Sequence, residues 1–186
     1  QTTNYIGSTK VYEGVPRYVL SRAILEAKAL KEAIEIAKYS PKAYPCHHNI
    51  ISFEEEKYLS IEATPESFDI FKPKDLYIHT NHLILDGTKN YPYEEKVYRE
   101  KSSISRFEVI KEGLESLKRE PNFKDLFNLL SSHKRKPFSP CRHPEKEVEG
   151  QTLCTAYFDI KNKKIIFYEG NPCESLKKEK KDTFDF

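Results

Sequence analysis

The string Tyr77-Ile78-His79-Thr80-Asn81-His82-Leu83 holds the residues best suited to chemistry in this chain. It follows the largely apolar Leu59-Ser60-Ile61-Glu62-Ala63-Thr64-Pro65 and reads as a strand that ends on polar side chains. Period-2 alternation puts His79 and Asn81 on one face and Thr80 and His82 on the other. A carboxamide at a strand end can hold an N–H donor fixed toward a developing negative charge, which is what an oxyanion requires. A plain strand-end turn accounts for the same residues, because Asn and His are common there.

Other combinations offer less. Cys46-His47-His48 invites a metal reading, but neighbours on a strand point to opposite faces and no second ligand pair stands at useful spacing. His79 and His82 are three apart and would diverge on a regular strand. The four cysteines, Cys46, Cys141, Cys154 and Cys173, include no Cys-x-x-Cys pair and fit neither a zinc knuckle nor a disulfide scaffold. Reduced thiols in a cytoplasmic protein are the expectation, with Cys46, Cys154 and Cys173 as small buried apolar residues. No metal site and no cofactor is expected. Glu62 suits a structural hydrogen bond better than acid–base work, and Thr152 is expected to face an interior at the start of a hairpin.

The elements that must position these residues belong to a chain long enough for one domain, 1–186, with a core of its own. Its 31 basic and 29 acidic residues nearly cancel, which argues against a nucleic-acid footprint. No apolar run is long enough to span a membrane, and no signal-peptide pattern opens the chain. Met is absent even from position 1, and Gln1-Thr2-Thr3-Asn4-Tyr5 reads like the interior of a strand. Further sequence upstream is therefore expected.

Residues 1–6 read as a strand end. Apolar residues at helical spacing over 16–38 predict two helices, broken near Lys28-Ala29 and closed by Pro41 and Pro45. Four short strands are predicted at about 47–53, 57–63, 67–72 and 75–81, and 85–101 as an exposed excursion. Helices are predicted at about 102–119, with Ser103 as a candidate cap, and at 122–132. A hairpin pairs Thr152–Ile160 with Lys163–Tyr168 through Lys161-Asn162. Residues from about 175 to 186 read as a charged tail, and the run Lys177-Lys178-Glu179-Lys180-Lys181 as solvated. Helices, meander, helices, hairpin is an α+β order, unlike the strict alternation of a doubly wound sheet. A four-layer αββα sandwich accommodates it if upstream residues supply the remaining strands.

Several segments, taken in order, resemble a known family. Asn4-Tyr5, then Gly14-Val15-Pro16 and a helix rich in Ala, Leu and Arg, open the series. Ile61-Glu62-Ala63-Thr64-Pro65 and His79-Thr80-Asn81-His82 form its most recognisable pair. Pro140-Cys141-Arg142-His143-Pro144, Gly150-Gln151-Thr152 and Gly170-Asn171-Pro172-Cys173 close it. Together these blocks resemble the acyl-coenzyme A:6-aminopenicillanic acid acyltransferase family of N-terminal-nucleophile hydrolases, over nearly the whole chain.

The resemblance implies a precursor that cuts itself before a Cys, whose freed α-amino group serves as its own base. It also implies the four-layer fold, here incomplete without upstream residues. The thiolate would attack an amide or thioester carbonyl, and water or an amine would then take the acyl group. By resemblance Asn81 supplies an oxyanion donor and Asn4 a second, while Tyr5, His82 and Arg142 belong to substrate binding. For Arg142 a structural role stands equally open. The nucleophile, and an Asp that positions it, would lie upstream of the Asn-Tyr block, so this chain alone is expected to be inactive. The expected partners are a small N-acyl substrate, with acyl-CoA among the candidates, and the segment or subunit carrying the nucleophile. A homo-oligomer is left open. The alternative is a non-catalytic relative of the same fold that binds a ligand or partner.

Overall fold

Helical spacing of Leu20, Ile24, Leu30, Ala33 and Ala37 places one apolar stripe along two short helices, and that stripe needs a surface to cover. A computed structural model supplies it. The structure describes all residues except 9–10, 40, 93–96, 146–149, 178–180 and 186, and the backbone alone of 97–100. The chain divides into two units, Gln1–Glu100 and Lys101–Phe186.

In the first unit, β1 (Thr2–Tyr5) precedes α1 (Arg17–Glu26) and α2 (Leu30–Lys38), and β2 (Cys46–Ser52), β3 (Lys57–Ala63) and β4 (Phe68–Phe71) follow. The break near Lys28-Ala29 is where it was expected. The four strands form one antiparallel sheet in the order β1-β2-β3-β4. Register settles which residues share a face. Ile50 pairs with Leu59, His48 with Ile61 and Cys46 with Ala63. Ile50, Leu59 and Ile61 form a core with Ile24, Leu30, Ala33 and Ala37 of the two helices. The opposite face is polar: Asn4 pairs with His47, His47 with Glu62, and Asn49 with Ser60. Gly14 admits no side chain, because a Cβ there would sit 2.7 Å from the Pro41 backbone, beside the bridge from Val15 to Lys42.

The strand expected at 75–81 is absent. Residues 74–80 pair with no strand, and the segment instead crosses the polar face of the sheet. The excursion expected at 85–101 is also corrected, since Leu83, Thr88 and Tyr91 are buried and a helix begins at Val97. Ile6, Leu83 and Tyr91 form a small second core with Tyr12.

The helix α3 (Val97–Ser116) leads into the second unit, followed by α4 (Phe123–Leu130), β5 (Cys154–Asp159), β6 (Lys164–Glu169), α5 (Pro172–Ser175) and β7 (Lys181–Asp185). Ser103 is fully buried inside α3, six residues past its first residue, and so does not stand at the helix start. Asn122 does cap α4: its side chain accepts from Asp125 N at 3.0 Å, and the Asp125 carboxylate accepts from Asn122 N at 2.9 Å. The predicted hairpin is present, and β7 extends it into an antiparallel sheet β5-β6-β7. The segment read as a charged tail thus contains a strand whose side chains stay exposed. The central residues of the 177–181 run lie outside the described residues. Phe123 and Phe127 of α4 pack on one face of this sheet, with ring centroids 4.8 Å from Tyr157 and Tyr168 respectively. Among the described residues no helix is long and apolar enough to cross a membrane.

Candidate functional site

Asn4 on β1 and Asn81 in the crossing segment hold each other's backbones. Asn4 Nδ2 donates to Thr80 O at 2.7 Å, and Asn81 Nδ2 donates to Tyr5 O at 2.8 Å. The two carboxamides therefore form a reciprocal latch between an edge strand and the loop over the sheet. Asn4 Nδ2 also lies 3.0 Å from His79 Nδ1.

His79 is the hub beneath this latch. Its Nε2 donates to Glu62 Oε1 at 2.8 Å, its Nδ1 lies 2.7 Å from Thr80 O, and its ring stacks on His47 with centroids 3.4 Å apart. Both Glu62 and His79 are almost wholly buried. Glu62 also accepts from Ile84 N at 2.8 Å, from Leu85 N at 3.1 Å and from the Thr88 hydroxyl. Burial alone would raise the Glu62 carboxyl, but the hydrogen bonds from His79, Thr88 and the two backbone N–H groups outweigh it and hold it below its ordinary value. Glu62 is thus a buried anchor that fixes the turn at 84–88, as its expected structural role requires.

Around this hub the groups are held neutral. Burial, then His79 and His48, push His47 down to about 2. Burial, then Lys42, takes His48 down to about 4. His47 Nε2 lies 2.8 Å from Ser60 Oγ, which donates to the Tyr77 hydroxyl at 2.8 Å, and burial pushes Tyr77 up to about 12. Burial likewise raises the Cys46 thiol to about 11, opposed by Lys42 and Arg17, so Cys46 is no nucleophile here.

The other predicted positions separate. His82 Nδ1 lies 3.0 Å from Thr80 Oγ1, beside the latch. The Tyr5 ring stacks under Arg17, whose guanidinium carbon is 4.2 Å from the ring centroid. Arg142 lies in the second unit, its backbone tied to Thr152 and its carbonyl accepting from Asn171 at 2.5 Å. Cys154 is exposed and Cys173 half-buried, which corrects the expectation of buried thiols at both, whereas Cys46 is buried as expected. Thr152 spends its hydroxyl accepting from Arg142 N at 3.0 Å.

One constellation escaped the sequence reading. His133, Cys141, His143 and Cys173 bring their donor atoms within 4.8 Å of one another in the second unit. Cys141 and His143 are two apart, a spacing that puts both on one side of extended backbone. Their partners come from a turn and a short helix that no local spacing connects.

A mixed α+β chain with two antiparallel sheets, whose paired asparagines bracket a buried His–Glu hub, defines the class of protein. The family model described as acyl-coenzyme A:6-aminopenicillanic acid acyl-transferase matches residues 1–174. The chain belongs to that family. None of the curated proteins matches it.

Proposed function

We propose that the chain is the larger part of an amide hydrolase or acyltransferase that acts on small N-acyl compounds, acyl-CoA among the candidate donors. The nucleophile is a cysteine that precedes Gln1 in the complete protein, freed by self-cleavage, and residues 1–186 alone are inactive. The cysteine thiolate forms an acyl-enzyme while its own α-amino group takes and returns the proton. Asn81, with Asn4 as second donor, stabilises the oxyanion. Tyr5 and His82 contribute to substrate binding beside the latch, and Arg142 is a separate candidate for substrate binding within the second unit.

The observation that carries this reading is the Asn4–Asn81 latch within the matched residues 1–174. It fixes two carboxamides in one place, and a preorganised donor is what acyl transfer needs. The edge position of β1 supports an upstream strand beside it: among the described residues β1 has a partner on one side only. Membership of the family supports the four-layer αββα sandwich of N-terminal-nucleophile hydrolases, as a single domain, for the complete protein.

The test is Asn81→Ala in the complete protein. Loss of one oxyanion donor should lower kcat about 100- to 1,000-fold while substrate binding changes little. Full turnover by a folded Asn81→Ala protein would make Asn81 structural and favour a non-catalytic relative that binds a ligand or partner.

A further inference from the structure

His133 follows the end of α4, Cys141 and His143 sit on the loop beyond it, and Cys173 lies in α5. Three segments of backbone thus deliver two imidazoles and two thiols to one point. His143 Nε2 lies 3.5 Å from Cys141 Sγ, 3.4 Å from Cys173 Sγ and 3.0 Å from His133 Nε2. A zinc ion at about 2.3 Å from sulfur and about 2.0 Å from nitrogen gives a tetrahedron with N···S edges of about 3.5 Å and an N···N edge of about 3.3 Å. These three separations match those edges to within a few tenths of an ångström, and the other three pairs of donor atoms lie within 4.8 Å. Both cysteines are free thiols, so no disulfide accounts for the approach.

We propose that His133, Cys141, His143 and Cys173 bind one divalent transition metal ion, zinc by preference, as a closed structural site. Thiolate and imidazole together in tetrahedral array select zinc over the oxygen-seeking cations. Four protein ligands leave no open position, which separates the site from a catalytic one. Binding releases the two thiol protons and closes a loop from the end of α4 to α5.

The surroundings are built for this. Cys141 N donates to Ser132 O at 3.0 Å, which ties the Cys141 loop to the turn bearing His133. Lys134 and Arg135 in that turn pair with Glu112 of α3, each at 2.6 Å. Asn171 Nδ2 reaches Cys141 Sγ at 3.6 Å while donating to Arg142 O, so an outer amide already faces the ligand sulfur. Cys141 is fully buried and His133 is exposed, which gives the ion a route in from solvent.

The experiment uses the complete gene product, untagged and reduced. Its zinc content is measured, and the zinc is then exchanged for Co²⁺. The proposal predicts one zinc per chain, with visible Co²⁺ bands of tetrahedral intensity and a thiolate-to-cobalt charge-transfer band in the near ultraviolet. Removal by a chelator should lower Tm. Cys173→Ser and His133→Ala should each weaken zinc binding by more than about 100-fold, since outer-shell partners alone are worth about 10- to 100-fold. His133 is exposed, so its variant keeps the test usable if the cysteine variant fails to fold. Substoichiometric zinc in the reduced protein, or Co²⁺ bound without the thiolate band, would overturn the proposal. The readout is metal content and spectrum, so it stands whether or not the acyltransferase reading holds.

Discussion

Glu62 carries four hydrogen bonds at a fully buried position. Glu62→Ala would strand the His79 N–H, the Thr88 hydroxyl and two backbone donors. Removing one partner of such a buried pair should cost about 3–5 kcal/mol, measured as the shift in urea unfolding. Two buried histidines give a second prediction at this scale. Folded His47 and His48 resist protonation, held at about 2 and about 4, whereas the unfolded chain takes up these protons near about pH 6.5. Below that pH the unfolded state binds more protons, so stability falls as pH falls, by about 1.4 kcal/mol per pH unit for each fully titrating histidine. Glu62 adds loss in the same direction only further down, as pH drops through its lowered carboxyl value. Urea midpoints should therefore decline between about pH 7 and about pH 5, before ordinary carboxylates titrate. A flat profile there would mean that these histidines are not held neutral. His79 and Asn81 were legible as a polar group at the end of an apolar string. Their use was not: period-2 spacing assumed a strand, and the Glu62 network bends the segment across the sheet instead.

At the scale of elements, local signals worked where local physics decides. The break between α1 and α2 and the hairpin of β5 and β6 follow from apolar spacing and turn residues near at hand. The cap of α3 was misread because Ser103 is buried within the helix, while Asn122, whose side chain and Asp125 bond reciprocally, begins α4. Asn122→Ala should cost about 1 kcal/mol of stability, with Asn122→Gly recovering most of it. Thermal unfolding of both variants measures this, and equal losses would contradict the cap. β7 was invisible to composition because its exposed, charged residues gain strand geometry only from pairing with β6. The His133, Cys141, His143 and Cys173 cluster was hidden for the same reason, since its members meet only after the second unit folds.

At the scale of the whole molecule, family membership rests on the family model's match over residues 1–174. The sequence order of helices, meander, helices and hairpin conveyed the α+β class, and both sheets are antiparallel as a meander and a hairpin require. The proposed mechanism assigns its nucleophile to a cysteine upstream of Gln1 in the complete protein. Denaturing intact-mass analysis of the purified full-length gene product tests that claim most directly. The account predicts a processed product, with a polypeptide that begins at a cysteine upstream of Gln1. A single unprocessed chain that begins at its initiator Met and stays intact over time would contradict it.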